Sequence, residues 1–161
     1  MTHKKISTTL LKDPRHLLSL GFGSGLAPKA PGTFGTLAAI PFYLLMALYL
    51  SDLAYVIVCV ATFLLGIYLC QHTTNALGVD DHPAIVWDEF VGLFITLLFV
   101  PLSLTTLVLG FVFFRFFDIL KPWPISVIDS RIKGGLGVML DDVLAGCFAL
   151  ACMHIYLWLI N

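Results

Sequence analysis

The chain has 161 residues, of which 59% are hydrophobic and 12% are charged, and its formal net charge is −1. This charged fraction is about half of that in soluble domains, and it is too low to cover the surface of a small soluble fold. The composition therefore predicts an integral membrane protein, and the near-neutral charge argues against nucleic acid as a partner.

The N-terminal segment 1–20 is basic. Its first fifteen residues include Lys4, Lys5, Lys12 and Arg15, with only one aspartate among them. No apolar core follows directly, so the segment does not have the pattern of a cleaved signal peptide. Under the positive-inside rule we expect this segment in the cytoplasm. The length of the chain favours a single domain, 1–161.

A glycine-rich segment, 21–36, follows, with five glycines, two prolines and one lysine. Glycine lets backbone amides approach an anion closely, Thr33 or Thr36 can cap the next helix, and a helix N-terminus attracts phosphate. Lys29 adds a positive charge. The segment does not match a nucleotide-binding P-loop. It is therefore either a phosphate-binding loop or a connector with residues typical of a helix start.

Four apolar runs dominate the rest of the chain. They are 36–50, 53–70, 90–117 and 143–160. The first two are separated by a short polar break and predict a helical hairpin. The third is too long for one straight span and too short for two full ones. If Asp88, Glu89 and Asp118 serve one site, both ends of this run lie on one face of the membrane, so we expect a hairpin that turns near Pro101. No alternating pattern persists, so the predicted fold is all-α. It is a multi-pass helical membrane protein, a compact bundle of about five to seven helices with short hairpins.

Two acidic pairs lie beside apolar runs in matching contexts. Asp88 and Glu89 are flanked by three apolar residues before them, and by two apolar residues and a small one after them. Asp141 and Asp142 have the same flanks. Carboxylate oxygens are the usual ligands of Mg²⁺ or Ca²⁺. We expect two diacid helix starts to meet and form a four-carboxylate cage. The alternative is that each pair only complements a helix N-terminus.

A further aspartate, Asp81, fits a helix N-cap, with Pro83 in the first turn. If that helix continues, Asp81 and Asp88 share one face, because they are seven positions apart. Asp81 then joins the metal ligands. The alternative is that Asp80 and Asp81 only cap the helix.

The segment 115–125 ends a helix at two prolines and places Asp118 three positions before Lys121. These two side chains can form a local ion pair, or Lys121 can face a phosphate. The following stretch, 125–132, either lies in the membrane interface with Arg131 near anionic head groups or is a solvated basic loop.

Four motifs carry a resemblance to a known family. GSGLAPKAPGTFGT, DxxxIVWDEFVG, FDILKPWPI and GGLGVMLDDVLAG occur in this order, and together they resemble the phosphatidylglycerophosphatase A family from about Gly21 to Gly146. The resemblance implies an all-helical, Mg²⁺-dependent enzyme of phospholipid synthesis that hydrolyses phosphatidylglycerophosphate to phosphatidylglycerol and phosphate. It also implies a multi-pass protein of the bacterial inner membrane whose active site faces the cytoplasm.

The motifs of thiolate, aspartyl-phosphate and phosphohistidine phosphatases are missing, which favours metal-assisted hydrolysis. We predict that carboxylates hold Mg²⁺, that Glu89 or Asp118 is the general base, and that basic and backbone groups bind the substrate. The predicted metal ligands are Asp81, Asp88, Glu89, Asp141 and Asp142. The predicted substrate contacts are Lys29, Gly32, Thr33, Lys121 and Arg131.

Attack by an aspartate itself is an alternative to attack by water. The expected partner is the phospholipid substrate in the membrane, without nucleic acid and without an obligate protein partner. Two alternative functions are a small ion-coupled transporter and a phosphatase for a different lipid phosphate.

Overall fold

The computed structural model describes residues 8–80 and 82–160, and within these ranges it contains helices and no strands. The elements are a 3₁₀ segment Thr8–Lys12, α1 Pro14–Ser19, a 3₁₀ segment Gly21–Leu26, α2 Pro31–Tyr49, α3 Asp52–Leu77, α4 Trp87–Thr96, α5 Leu104–Leu120, α6 Ile125–Arg131 and α7 Gly134–Ile160. The prediction of an all-α helical bundle is confirmed.

Two hairpins organise the bundle, and both were predicted. The first joins α2 to α3 through a tight turn, where the Ser51 side chain accepts a hydrogen bond from the amide of Ala54 and starts α3. The second joins α4 to α5 through a turn that contains Pro101. Ser103 and Thr106 form a capping box at the start of α5. Each hairpin returns the chain to the end of the bundle from which it came.

Helix α4 lies at the centre of the bundle. Nearly all of its residues are buried, and α2, α3, α5 and α7 pack around it. The α4–α7 contact depends on small residues, because a Cβ atom at Gly146 would lie 2.7 Å from the carbonyl oxygen of Gly92. The Trp87 indole donates a hydrogen bond to the Thr62 carbonyl (3.1 Å), which fixes the start of α4 against α3.

Three helices, α2, α3 and α7, are long and apolar enough to cross a membrane, judged by length and composition. Their outer faces expose large apolar side chains, including Leu45, Leu53, Leu64 and Trp158. Such continuous apolar faces are typical of lipid-facing surfaces and not of a soluble bundle. The structure therefore supports a membrane protein.

The predicted helix that starts at Asp81 is wrong. Helix α4 begins only at Trp87, and residues 82–86 are not helical. The seven-residue spacing therefore does not place residues 81 and 88 on one helical face. Asp81 itself lies outside the described residues.

Two further expectations about helix starts are also wrong. Helix α7 begins at Gly134, so Asp141 and Asp142 lie in its third turn and not at its start. Helix α2 begins at Pro31 after Ala30, without a side-chain cap, and the Thr36 hydroxyl donates to the Gly32 carbonyl from inside the helix. Gly32 and Gly35 therefore lie in the first two turns of α2, and Gly134, Gly135 and Gly137 lie at the start of α7.

Part of the basic N-terminal segment is folded onto the bundle. Helix α1 packs against α3, and His16 and Ser19 are buried. The His16 Nδ1 atom lies 2.9 Å from the Thr73 hydroxyl. This contact ties α1 to the last third of α3.

Candidate functional site

Three carboxylates from two helices meet at one end of the bundle. Asp88 and Glu89 lie in the first turn of α4, and Asp142 lies in the third turn of α7. One oxygen of each lies within 4.8 Å of the others, and all three residues are buried. The close packing of α4 on α7 at Gly92 and Gly146 brings these remote parts of the chain together.

This arrangement of carboxylates is electrostatically unfavourable without a cation. Burial, followed by the nearby Asp142 carboxylate, raises the pKa of Glu89 to about 8. Oε2 of Glu89 and Oδ2 of Asp142 are buried without a hydrogen-bond partner among the described residues. Buried carboxylates of this kind need protons or a bound cation. Three convergent oxygen donors are suited to a hard divalent cation.

A guanidinium from α5 lies beside the three carboxylates. Arg115 Nη1 is 2.5 Å from Asp118 Oδ2 and 3.8 Å from Glu89 Oε1, and all three side chains are less than 15% exposed. Asp118 also interacts with Asp142. The last turns of α5 therefore add one positive and one negative group to the same cluster.

The first turn of α2 covers this cluster. A Cβ atom at Gly32 would overlap Oε1 of Glu89 and would lie 3.0 Å from Nη1 of Arg115. Only glycine allows α2 to approach these side chains so closely. Thr33 follows in the same turn, half-buried, while Lys29 is exposed in the connection before α2.

A second ion-pair group lies next to the first, on α5, α6 and α7. The Lys121 ammonium donates to Asp141 Oδ2 (2.5 Å) and to Asp129 Oδ1 (2.6 Å). Partial burial alone would lower the pKa of Lys121, but the two carboxylates outweigh it and raise this pKa. Arg131 lies exposed at the end of α6.

The structure thus brings together some of the predicted site residues and separates others. Asp88, Glu89 and Asp142 form the cluster, and Asp118 and Gly32 adjoin it. Asp141 faces Lys121 instead, because consecutive residues of a helix point about 100° apart. Lys29 and Arg131 are exposed and have no described contact with the carboxylates.

Arg115 is a residue of this site that was not predicted from the sequence. The available signal was a lone arginine inside an otherwise apolar helix, LTTLVLGFVFFRFFDIL, three positions before an aspartate. A charged side chain is costly in such a segment and is usually functional.

One other group of potential ligands is present in the described ranges. Asp13, His16 and His72 bring ligand atoms within 4.8 Å of one another. Asp13, however, caps α1 and accepts three hydrogen bonds from Arg15. This group is accounted for by helix capping and by the packing of α1 on α3.

Comparison with known proteins identifies the family. The family described as phosphatidylglycerophosphatase A matches residues 17–157. The chain belongs to the phosphatidylglycerophosphatase A family. The match includes the three clustered carboxylates, Arg115, Asp118 and the start of α2. Membership in a phosphatase family favours an enzyme over an ion-coupled transporter.

Three relatives are similar over most of their length. A Haemophilus influenzae protein named phosphatidylglycerophosphatase A is 50% identical over 147 residues, which cover 91% of this chain and 88% of the relative. An Escherichia coli protein of the same name is 45% identical over 155 residues, with coverages of 94% and 90%. A Bacteroides thetaiotaomicron protein with the provisional name phosphatidylinositol-3-phosphatase is 38% identical over 155 residues, with coverages of 90% and 94%. No solved structure matches the chain.

Proposed function

We propose that this protein hydrolyses phosphatidylglycerophosphate to phosphatidylglycerol and phosphate in phospholipid synthesis, and that the reaction requires Mg²⁺. The supporting observation is the meeting of Asp88, Glu89 and Asp142 in one buried cluster. The chain is also 45–50% identical to two relatives named for this activity.

The three clustered carboxylates are the proposed metal ligands. A bound divalent cation would supply positive charge to the phosphoryl oxygens and increase the acidity of a nearby water. Asp141 acts indirectly in this proposal, because its ion pair with Lys121 fixes the turn of α7 that carries Asp142. Burial of the cluster excludes bulk water and strengthens each electrostatic contact.

Glu89 and Asp118 are the candidates for the general base, since Glu89 belongs to the cluster and Asp118 adjoins it. A matched pair of variants separates the two roles. If Asp118 is the base, Asp118→Asn lowers kcat and leaves the affinity for Mn²⁺ unchanged. Glu89→Gln lowers both, because Glu89 is a proposed ligand. The opposite pattern, with metal affinity lost only in Asp118→Asn, would reverse these assignments.

The proposed location is the bacterial inner membrane, with the site at the cytoplasmic face. The start of α2, the end of α5 and the start of α7 all lie at the end of the bundle that carries the cluster. Lys121, Arg131 and Lys133 lie at the same end, as the positive-inside rule requires for the cytoplasmic side.

A second candidate function is hydrolysis of a different lipid phosphate. The observation that favours it is the Bacteroides relative, whose provisional name assigns it a phosphoinositide substrate. The carboxylate cluster would act on the phosphomonoester in either case. The two functions differ only in the group that carries the phosphate.

The test is phosphate release by the purified protein in lipid nanodiscs. Phosphatidylglycerophosphate, phosphatidylinositol 3-phosphate and phosphatidic acid are compared, each with Mg²⁺ and with EDTA. We expect metal-dependent release with the highest kcat/KM for phosphatidylglycerophosphate. Asp142→Asn should be inactive, whereas Asp52→Asn, at the opposite end of the bundle, should match the wild type. Release that persists in EDTA would refute the proposed metal requirement, and preference for another lipid would favour the second candidate.

A further inference from the structure

We propose that Arg115 is a catalytic residue that binds the phosphoryl group of the substrate through its guanidinium. This inference rests on the proposed function, since it requires a phosphomonoester at the carboxylate cluster. The proposed metal ligands hold the cation, and Arg115 adds a side chain that contacts the substrate directly. The ligand class is a phosphomonoester dianion, either as part of a lipid or as inorganic phosphate.

The position of Arg115 is the first argument. Its side chain is 14% exposed and lies between the carboxylates of Asp118 and Glu89. The guanidinium also packs closely against the first turn of α2, where a Cβ atom at position 32 would lie 3.0 Å from Nη1 and 3.1 Å from Nη2. A phosphoryl group near the three proposed metal ligands is therefore within reach of this side chain.

Unused hydrogen-bond donors are the second argument. Nε and Nη1 of Arg115 are buried and have no hydrogen-bond partner among the described residues. The contact of Nη1 with Asp118 is an ion pair without hydrogen-bond geometry. A buried donor without an acceptor is costly, and guanidinium donors match the oxygens of a phosphate in a bidentate arrangement. An incoming phosphoryl group would satisfy these donors.

Charge balance is the third argument. Asp88, Glu89, Asp118 and Asp142 oppose one guanidinium, which leaves three negative charges when all four are ionised. A divalent cation reduces this to one negative charge, which still repels a phosphate dianion. Lys121 does not correct the balance, because Asp129 and Asp141 hold its ammonium. Among the residues that the structure describes, Arg115 is thus the cation that borders the cluster and is positioned to attract the substrate.

Asp118 supports this role by fixing the guanidinium. The two residues are three positions apart on α5, and the 2.5 Å contact restricts the arginine to the side of the helix that faces the cluster. A pre-positioned cation avoids reorganisation when charge develops on the phosphoryl oxygens. Lysine at this position would keep the positive charge but would lose the planar guanidinium, whose N–H donors can bind two phosphate oxygens at once.

The experiment compares Arg115→Ala and Arg115→Lys with the wild type in nanodiscs. Arg15→Ala is the matched control, because Arg15 is an exposed arginine on α1 that pairs with Asp13 and not with the clustered carboxylates. Four quantities are measured: kcat/KM with phosphatidylglycerophosphate and Mg²⁺, inhibition by inorganic phosphate, Mn²⁺ affinity, and rescue by added guanidinium chloride at low millimolar concentration. A sodium chloride series controls for ionic strength.

We expect Arg115→Ala to lower kcat/KM by roughly 100-fold, the scale of a lost hydrogen-bonded charge contact, and to weaken inhibition by phosphate. Mn²⁺ affinity should be unchanged or higher, because a neighbouring positive charge is removed. Guanidinium, but not sodium, should restore part of the activity. The kcat/KM of Arg115→Lys should lie between those of the wild type and Arg115→Ala. Arg15→Ala should match the wild type.

Three results would overturn the inference. They are wild-type kcat/KM in Arg115→Ala, loss of Mn²⁺ binding together with activity in both Arg115 variants, and lost activity with unchanged inhibition by phosphate. Failure of the proposed function is distinguishable, because it would show as no metal-dependent phosphate release by the wild type. In that case, binding of inorganic phosphate to the wild type and to Arg115→Lys, measured by calorimetry, tests the anion contact independently.

Discussion

Lys121 and Asp141 form an ion pair, with 2.5 Å between Nζ and Oδ2, that joins the end of α5 to the third turn of α7. Lys121 is the residue that ends α5, in a left-handed conformation. Its ammonium also contacts Asp129 on α6. One side chain therefore holds three helices together directly beside Asp142, and this relationship gives Lys121 a structural role that is independent of substrate.

We predict that Lys121→Met destabilises the protein. The substitution keeps much of the side-chain volume but leaves the Asp141 carboxylate buried without its cation. Breaking a largely buried ion pair costs about 3 kcal/mol, which corresponds to a decrease in Tm of several degrees for a chain of this size. Thermal unfolding in detergent, followed by circular dichroism, measures this change.

The matched control for that prediction is Lys133→Met. Lys133 is exposed, and among the described residues it donates only to the backbone carbonyl of Asp129. Its loss should change Tm by less than about 1 °C, as for most surface substitutions. An unchanged Tm in Lys121→Met with a raised KM would instead support the sequence-based expectation that Lys121 contacts the substrate.

Removal of a clustered carboxylate is expected to stabilise the metal-free protein. Asp142→Asn relieves repulsion with Asp88 and Glu89, so its Tm in EDTA at pH 8 should exceed that of the wild type by a few degrees. Saturating Mg²⁺ should raise the wild-type Tm, because a ligand at 100 times its Kd adds about 2.7 kcal/mol. The variant should show no such increase. Lower stability of Asp142→Asn in EDTA would contradict the electrostatic account of the cluster.

The sequence predicted the pairing of the two acidic regions but not its geometry. The matching flanks around residues 88–89 and 141–142 were sufficient to predict that the two regions meet, because acids are rare in this chain and costly beside apolar runs. Which acid of the 141–142 pair faces the cluster depends on the rotation of α7. That rotation is set by Gly135, Gly137 and Gly146, whose contacts with α3, Ile132 and α4 are not visible in the sequence.

The helix boundaries were the least predictable part of the fold. Glycine-rich stretches have the composition of loops, yet Gly32, Gly135 and Gly137 lie in the first turns of α2 and α7 and pack tightly on neighbouring residues. Tertiary packing outweighs the low helix propensity of glycine at these positions. The hairpin at Pro101 was predictable, because one site required both ends of the 90–117 run at the same end of the bundle.

Stability of the metal-free protein should decrease as the pH rises from about 5 to about 8. The pKa of Glu89 is raised from 4.5 to about 8 by burial and by Asp142. Between these values the folded protein retains a proton that the unfolded chain releases, so raising the pH favours unfolding. We expect Tm in EDTA to fall across this range in the wild type and to change less in Glu89→Gln.

Magnesium should reduce the same pH dependence, because the cation replaces the proton on the cluster. Apparent Mn²⁺ affinity should therefore increase as the pH approaches 8 and then level off. Titrations at pH 6, 7, 8 and 9 in one mixed buffer measure this relationship. An affinity that is independent of pH would show that Glu89 is not a ligand.

Gly32→Ala tests the close approach of α2 to the cluster. The new Cβ atom would overlap Oε1 of Glu89 and press on the Arg115 guanidinium, so both side chains must move. We expect kcat/KM to fall at least 10-fold, since small displacements of reacting groups are costly. Tm should change by only a few degrees, because alanine favours the helix itself.

The control for Gly32→Ala is Gly78→Asn, at the end of α3. Gly78 has φ +70° and no atoms near its missing Cβ, and asparagine tolerates this left-handed conformation. This variant should keep wild-type kcat/KM, which would show that loss of a glycine alone does not impair the enzyme. Full activity in Gly32→Ala would mean that catalysis does not need the close packing of α2 on Glu89 and Arg115. It would weaken the case for a phosphoryl contact at Arg115.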